Sequence, residues 1–281
     1  MMASMPSPTP PTLTSRANPR VVAVAALRDR RERDRTGLTV VDGSREVSRA
    51  LEAGASVVEA FICGSRLAGP DARTALDLLA VRDVPTTPVT EAVLEKIAFG
   101  DRAEGIVATV RIPELDLERL VLPSAGALVV VLEGVEKPGN LGAVLRSADG
   151  AGVDAVVVAS PKTDPYNPNT IRASAGTIFR VPLAVASSEA VLAWVRARGL
   201  RPIAARVGVS QAYTDADLSG PLAIVLGTEA DGLTDVWTTP DVDAVSIPMR
   251  GIADSLNVSV SAAVLLYEAR RQRDRHPYAG D

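Results

Sequence analysis

The run Ala127–Leu132 (ALVVVL) constrains the fold of this chain more than any other feature of the sequence. It is wholly apolar and contains three consecutive valines, without the alternation of apolar and polar side chains that marks a half-exposed strand. Strands of this kind are covered on both faces, as in parallel sheets flanked by helices. The run therefore predicts an α/β fold with a mostly parallel sheet.

Segments with strand and helix patterns alternate along most of the 281 residues, which predicts two α/β modules. The predicted organisation is a disordered arm rich in Pro, Ser and Thr at 1–18, a first module at 19–112, a Pro-bounded linker at 113–124, a second module at 125–275 and a tail at 276–281. Within the second module, 178–181 is predicted to be extended chain.

Composition limits the chemistry that is available. The chain has one cysteine, Cys63, and one histidine, His276 in the polar tail. A disulfide, a thiolate zinc cluster, a histidine-based triad and any other metal site are therefore not expected. There is no run of about 18 apolar residues and no N-terminal signal pattern, so a soluble cytoplasmic protein is expected.

Charge is unevenly distributed along the chain, although the net charge is −4. The segment Arg16–Arg49 holds nine arginines and five acidic residues, a local net charge of +4. Guanidinium groups suit phosphate recognition, which makes this segment a candidate RNA contact. The alternative is a solvated helix surface whose arginines form salt bridges.

The first polar loop after an apolar strand lies in Leu132–Arg146 (LEGVEKPGNLGAVLR). Asn140 follows a Pro-Gly turn and is predicted to cap the next helix. Gly142 precedes Arg146 on the same helix face, which is predicted to leave room for a bulky ligand beside the guanidinium. The alternative is that Arg146 pairs with Asp149 on the protein surface.

The second loop is Leu226–Leu233 (LGTEADGL), where a buried strand ends in a glycine and is followed by Glu229 and Gly232. Glycines let a ligand approach the backbone closely. The alternative is the N-terminus of a helix with Thr228 or Asp231 as its cap.

The third segment, Ile247–Arg271, is predicted to be a loop up to Ser255 and a helix after it. Asp254 and Ser255 are good N-cap residues, so Ser255 and Asn257 are predicted to lie at the mouth of the helix beside free backbone N–H groups. The alternative is a terminal helix that packs on its own domain with an ordinary cap.

Together, the three loops resemble in wording, order and spacing those of the SpoU (TrmH-like) branch of the SPOUT RNA methyltransferases. The resemblance covers about 125–273 and includes the motif IRASAGTIFRVPL. The segment TVVDGSREVSRALEAGASVVEAFIC resembles the ribosomal-protein-like RNA-binding domain that precedes the catalytic domain in many rRNA enzymes of this group. Within this group, the chain resembles the actinobacterial antibiotic-resistance rRNA methyltransferases of the AviRb and thiostrepton-resistance type.

The resemblance implies a homodimeric enzyme, associated through its C-terminal helix, whose methyltransferase domain contains a trefoil knot. It implies methylation of a ribose 2′-hydroxyl, most readily in 23S ribosomal RNA, with S-adenosylmethionine as donor. Whether the modification confers antibiotic resistance or serves ribosome maturation is left open. By position, the cofactor contacts are Leu226, Gly227, Thr228, Ile247, Met249 and Leu256. The residues matching the catalytic motifs are Asn140, Arg146, Glu229, Ser255 and Asn257.

Arg146 is the reactive group of this hypothesis. Because the pKa of free arginine exceeds about 12, a neutral guanidine is a costly base. We therefore expect Arg146 to contact the ribose hydroxyl and stabilise the developing alkoxide, with its use as the proton acceptor left open.

Three alternatives remain at this point. The substrate could be tRNA, although the N-terminal module favours rRNA. The chain could be a catalytically silent RNA-binding protein of the same fold, which has no need for the five motif residues together. An unrelated nucleotide-binding α/β protein is disfavoured, because GVEKPGNLG does not fit the G-x-G-x-x-G fingerprint.

Overall fold

The computed structural model of the protein describes residues 11–99, 104–228 and 231–275. The chain divides into two compact units, with the boundary between Ile112 and Pro113. Among the described residues, no helix combines the length and the apolarity needed to cross a membrane.

The first unit is an α/β module built on one sheet. Its strands are β1 (Leu38–Asp42), β2 (Val57–Ile62), β3 (Thr86–Pro88) and β4 (Ile106–Arg111), and its helices are α1 (Pro19–Ala26), α2 (Arg30–Thr36), α3 (Ser44–Glu52), α4 (Gly69–Val81) and α5 (Glu91–Ile97). The described strands form a sheet in the order β1-β4-β2-β3, in which β4 is antiparallel to both of its neighbours. Phe61 packs with Leu94 and Ile97 in a core between this sheet and its helices.

The predicted disordered arm at 1–18 needs a correction within its described part. The backbone of Leu13 pairs with the segment around Val89: its N–H donates to the Pro88 carbonyl at 2.9 Å, and its carbonyl accepts from the Thr90 N–H at 3.1 Å. Leu13 also packs against the core of the first unit. The pairing is favourable because it buries an apolar side chain and satisfies backbone groups together. Residues 1–10 lie outside the described residues.

The second unit contains the parallel sheet. Its strands are β5 (Leu128–Glu133), β6 (Ala155–Ala159), β7 (Leu183–Ala186), β8 (Arg201–Ala205), β9 (Leu222–Leu226) and β10 (Asp243–Val245), and its helices are α6 (Pro138–Ala151), α7 (Pro168–Ala173), α8 (Ser188–Ala197) and α9 (Val258–Arg275). The described strands have the order β10-β8-β9-β5-β6-β7 and all neighbours are parallel. The predicted α/β fold is confirmed, and every residue of β5 is buried as its apolar run predicts.

Two segments of this unit differ from the sequence prediction. Instead of extended chain at 178–181, residues 177–179 form a 3-10 turn that follows Gly176, whose φ of +82° turns the backbone. The Arg180 and Val181 N–H groups both donate to the Thr177 carbonyl at 2.9 Å, so local hydrogen bonds outweigh β-propensity there. The segment predicted as linker, 113–124, belongs to the second unit, and its Leu120 is buried in that unit's core.

The strand order places a switch point beside β5. The chain passes from β5 to β6 and β7 on one side and then to β8 and β9 on the other, so β5 and β9 are neighbours. Ligands of open parallel sheets bind beyond the carboxyl ends of strands at such a point. The start of α6 lies at this end of the sheet because the helix closely follows β5, and Asn257, just before α9, bonds to Asn140 there.

Candidate active site

A cavity of about 540 Å³ opens at the carboxyl ends of β8, β9 and β10. Its size falls within the range of roughly 300–1,000 Å³ that is usual for small-molecule sites. All six residues predicted to contact the cofactor line it: Leu226, Gly227, Thr228, Ile247, Met249 and Leu256. Residues separated by up to 30 positions in sequence therefore meet around one space.

The loop after β9 forms one wall of the cavity as a narrow backbone hairpin. Thr228 and Gly232 exchange two backbone hydrogen bonds, at 3.1 and 3.2 Å. A Cβ on Gly227 would lie 2.1 Å from the Gly232 carbonyl oxygen, so only glycine fits at that position. The alternative of a helix starting at Thr228 or Asp231 is wrong, since the next helical turn begins at Asp235. Glu229 lies outside the described residues, so its predicted role stays a prediction.

The polar groups of the cavity mostly come from loops. The acidic residues Asp231 and Asp254 line it, together with Arg206 and the hydroxyls of Ser255 and Ser261. The remaining lining is largely apolar, so a ligand with a flat apolar part and positively charged groups is complementary to this wall. Ser255 thus lies at the cavity, as its place in the sequence pattern suggested.

A smaller cavity of about 100 Å³ adjoins the same loop on the side of α6. It is lined by Asn140, Lys137 and Glu133, and it shares Thr228 and Val258 with the larger cavity. Asn140 therefore lies next to the predicted cofactor space without lining it.

Asn257 joins the starts of α6 and α9. Its amide Nδ2 donates to Asn140 Oδ1 at 3.3 Å, while its own Oδ1 accepts from the Ser259 N–H at 2.9 Å. The second bond makes Asn257 the N-cap of α9. The predicted caps Asp254 and Ser255 are therefore wrong: the chain before Asn257 does not enter the helix and instead borders the cavity.

The environment of Asn140 also differs from the prediction. Asn140 lies inside the first turn of α6, which begins at Pro138, so it does not cap that helix. Proline has no N–H to satisfy at a first helical position, which explains why the helix starts earlier than expected. The Asn140 side chain is turned instead to the amide of Asn257.

Arg146 is exposed on α6 and lines neither cavity. Its side chain has no hydrogen-bond or ion-pair partner among the residues that the structure describes. Asp149, the alternative partner, lies 3.6 Å from Arg180. The room expected beside Gly142 is filled by α7, because a Cβ there would lie 2.5 Å from the Ala173 Cβ.

Sequence reasoning missed an ion pair at the mouth of the site. Lys162, which follows β6, lies 2.5 Å from Glu136 and 3.8 Å from Asp231. The hydrogen bond to Glu136 raises the pKa of the Lys162 ammonium. The signal was present in the sequence, since Lys162 is one of only three lysines and follows a strand exit.

The arginines of the segment Arg16–Arg49 are mostly engaged within the first unit. Arg33 is buried and donates to the Leu27 carbonyl at 2.8 Å. Five others bond to neighbouring groups: Arg20 to Glu59, Arg28 to the Lys96 carbonyl, Arg30 to Asp34, Arg35 to Glu32 and Arg45 to Glu46. Arg16 and Arg31 are exposed and have no such partner in the described part of the chain. The alternative of a salt-bridged surface therefore describes four of the nine arginines, while Arg28 and Arg33 bond to backbone carbonyls.

Comparison with known proteins identifies the class to which this fold and site belong. Residues 127–267 match the SpoU rRNA methylase family, and residues 18–108 match the MRM3-like substrate binding domain. The chain belongs to the SpoU rRNA methylase family. The resemblance inferred from the three loops is therefore confirmed.

Individual relatives cover nearly the whole chain. The 23S rRNA (uridine(2479)-2′-O)-methyltransferase of Streptomyces viridochromogenes is 34% identical over 89% of this chain and 88% of its own length. A crystal structure of an RNA 2′-O ribose methyltransferase is 42% identical, with a TM-score of 0.82 over 93% of this chain and 99% of that one. The SpoU methyltransferase AviRb from S. viridochromogenes, in complex with the cofactor AdoMet, is 32% identical, with a TM-score of 0.80 over 92% and 98% of the two chains.

Proposed function

We propose that this protein methylates a ribose 2′-hydroxyl of 23S ribosomal RNA with S-adenosylmethionine as donor. The observation that carries the proposal is the convergence of all six predicted cofactor contacts on one cavity beside the Asn140–Asn257 pair. Family membership and the named activity of the S. viridochromogenes relative support it. Such RNA is found in the cytoplasm, where we place the protein.

The lining of the larger cavity fits S-adenosylmethionine. Leu226, Ile247 and Leu256 offer apolar surface for a flat adenine ring. The carboxylates of Asp231 and Asp254 favour the positive charges of an ammonium and a sulfonium group. When bound, the cofactor supplies a methyl group already activated by its sulfonium charge.

The protein's task is then mainly to position a hydroxyl, which is a large source of rate acceleration. We assign this role to the amides of Asn140 and Asn257, which are hydrogen-bonded to each other and of which Asn140 lines the smaller cavity. Ser255 holds the loop at the cavity, and Glu229 is proposed to orient the ribose or the arginine.

Arg146 is proposed to stabilise the alkoxide that develops on the ribose and to contact an adjacent phosphate. Its guanidinium is exposed and has no partner in the described part of the chain, so it can bind an anion without breaking an existing ion pair. Because Arg146 lines neither cavity of its own chain, we assign it a contact to the RNA and not to the cofactor.

A homodimer formed through α9 is part of the proposal. Val260 and Tyr267 lie two turns apart on the same side of α9 and are 47% and 53% exposed. An apolar stripe of this kind is suited to a subunit interface. Since α9 packs on α6, Arg146 of each chain would lie near that interface.

The trefoil knot stays a prediction that the strand order makes reasonable. β10 forms one edge of the sheet, whereas α9 packs nearer its centre, on β9 and α6. The segment 246–257 therefore runs back past β8, the path on which a knot would form. The end of α9 is fixed by Arg273, which donates to the carbonyls of Gly126 and Gly220.

The first unit is proposed to select the RNA. Its match to a substrate binding domain supports this role. Within the arginine segment, we assign phosphate contacts to Arg16 and Arg31. Six other arginines already bond to a group of the first unit, and each would have to break that bond before it could bind a phosphate.

The experiment that tests the proposal is transfer of labelled methyl groups to 23S rRNA and, separately, to tRNA, followed by mapping of the modified nucleotide. The proposal expects a single 2′-O-methylated ribose in 23S rRNA. Methylation of tRNA alone, of a base, or of no RNA despite tight RNA binding would each contradict it, and the last would favour a silent RNA-binding protein. Growth of cells with and without the gene on ribosome-targeting antibiotics would then decide between resistance and ribosome maturation.

A further inference from the structure

Glu133, the last residue of β5, is a buried carboxylate with a full set of donors. It is 4% exposed. Its oxygens accept three hydrogen bonds: from the Ser188 hydroxyl at 2.5 Å, from the Thr234 N–H at 2.7 Å and from the Thr234 hydroxyl at 2.8 Å. Ser188 lies in the first turn of α8, whereas Thr234 ends the loop that follows β9. One carboxylate therefore ties three elements together at the carboxyl end of the sheet.

The network continues to the next strand. The Ser188 and Ser160 hydroxyls lie 3.1 Å apart, and the Ser188 N–H donates to the Ser160 hydroxyl at 3.1 Å. Ser160 follows β6 and has a φ of +45°, a conformation that side chains other than glycine and asparagine seldom adopt. The ends of β5 and β6 are thereby fixed to the same point as α8.

Thr228 and Thr234, on either side of the undescribed residues 229–230, both lie against the end of β5. Thr234 is bound by Glu133 at one end of the loop, and at the other end the Thr228 methyl group lies 3.0 Å from where a Cβ on Gly134 would be. This loop supplies Thr228, Asp231 and Gly232 to the wall of the larger cavity. Its position decides the shape of that cavity.

The chemistry of Glu133 suits positioning better than bulk stability. Burying a carboxylate costs free energy that its hydrogen bonds only offset, and apolar residues of similar volume often stabilise a core as well or better. A carboxylate instead fixes the positions of the groups that donate to it, because charged hydrogen bonds are short and strong and require donors at defined places. The Thr234 N–H cannot rotate, so its bond to Glu133 fixes the backbone of the loop.

We infer, on the basis of the proposed function, that Glu133 is a positioning residue that sets cofactor affinity by fixing the loop 228–234. It acts through Thr234 and lines the smaller cavity but not the larger one. Within a methyltransferase, its loss affects binding of S-adenosylmethionine while RNA affinity is maintained.

The test replaces Glu133 with an isosteric amide. In Glu133→Gln, an NH2 group faces at least one donor, and loss of a charged hydrogen bond is expected to raise the KM for S-adenosylmethionine by about tenfold or more. The turnover at saturating cofactor and the KM for RNA stay near those of the wild type. The cofactor Kd, measured by calorimetry, rises in parallel.

Asp154→Asn is the matched control. Asp154 is a carboxylate at the opposite end of the sheet, where it accepts from the Leu128 N–H at 2.7 Å. We expect its substitution to lower the melting temperature without changing the KM for S-adenosylmethionine. An equal rise of that KM in both variants would mean that general destabilisation is the cause and would overturn the inference.

Two further variants keep the test decisive if Glu133→Gln does not fold. Thr234→Val removes only the hydroxyl bond and is expected to raise the cofactor KM by several-fold, whereas Thr234→Ser retains both donors and restores wild-type affinity. Unchanged cofactor affinity in a folded Glu133→Gln or Thr234→Val protein contradicts the role of Glu133. Failure of the wild-type protein itself to bind S-adenosylmethionine would instead contradict the proposed function.

Discussion

At the scale of single residues, Gly227 shows how the backbone shapes the candidate cofactor site. The space that its missing side chain leaves is occupied by the Gly232 carbonyl, and this close approach closes the hairpin after β9. A methyl group there would push the hairpin away from its present place at the cavity wall. Glycine is needed here so that the Gly232 carbonyl can approach the backbone, and not for its conformational freedom, since Gly227 does not have a positive φ.

We predict that Gly227→Ala weakens S-adenosylmethionine binding by about tenfold or more, because a Cβ 2.1 Å from a backbone oxygen forces the loop to move. Isothermal titration calorimetry measures the change. Gly64→Ala is the control, since nothing lies within 4 Å of its added Cβ and its backbone does not have a positive φ. Equal cofactor affinity in Gly227→Ala and wild type would show that this loop does not shape the site.

Residue types in the loops could be interpreted from sequence, but their contacts could not. Glu133 was predicted to lie in the polar loop after the apolar run and was given no role, whereas it is the last residue of β5, because a pattern does not show which donors surround a carboxylate. Gly142 was assigned to ligand space for its small size, whereas the structure uses that size for the approach of α7. A small residue permits another group to approach closely. Only the three-dimensional structure shows whether that group is a ligand or another part of the protein.

At the scale of elements, the start of α9 combines two functions in one side chain. Asn257 caps the helix with its oxygen and holds Asn140 with its NH2 group. A cap contributes about 1 kcal/mol to stability. Since the two functions use different atoms, substitutions can separate them.

We predict that Asn257→Asp retains the cap and therefore keeps the free energy of unfolding near that of the wild type, while methyl transfer falls because the donor to Asn140 is lost. Asn257→Ala removes both the cap and the donor to Asn140, so the free energy of unfolding falls by about 1 kcal/mol in addition to the loss of activity. Urea denaturation and methyl transfer are measured on the same preparations. Full activity of Asn257→Asp would argue that the amide pair has no role in positioning.

The apolar run Ala127–Leu132 predicted β5 to within one residue at each end, because apolar patterns follow burial. The errors lie at the ends of elements. Asp, Ser and Asn are about equally good N-cap residues, so residue type did not distinguish Asp254 and Ser255 from Asn257, after which the helix begins. The 3-10 turn at 177–179 was missed because TIFRV has the composition of a strand and its local hydrogen bonds are not visible in composition.

At the scale of the whole molecule, the sequence predicted two modules and a parallel sheet in the second. Both follow from patterns that extend over many residues, and they are the features least sensitive to a single contact. Subunit association depends instead on which faces remain uncovered, and that becomes visible only once the helices are packed. The exposed stripe on α9 is such a face.

We predict that Val260→Glu converts a dimer into a monomer, because it places a charge within the apolar stripe of α9, where a subunit interface would bury it. Sedimentation velocity at several micromolar protein concentrations measures the oligomeric state. Val81→Glu, at an 82% exposed position in the first unit, is expected to remain dimeric. A wild-type protein that sediments as a monomer at all these concentrations would refute the dimer.

The most direct measurement is single-turnover methyl transfer to 23S rRNA by wild-type, Arg146→Lys and Arg146→Ala proteins, with cofactor affinity determined separately. The account predicts that Arg146→Ala slows transfer to the ribose by about 10²-fold or more, a loss typical of removing one group that stabilises developing charge. Cofactor affinity stays unchanged, because Arg146 does not line the cavity, and Arg146→Lys recovers part of the rate. Undiminished ribose methylation by Arg146→Ala would contradict the account.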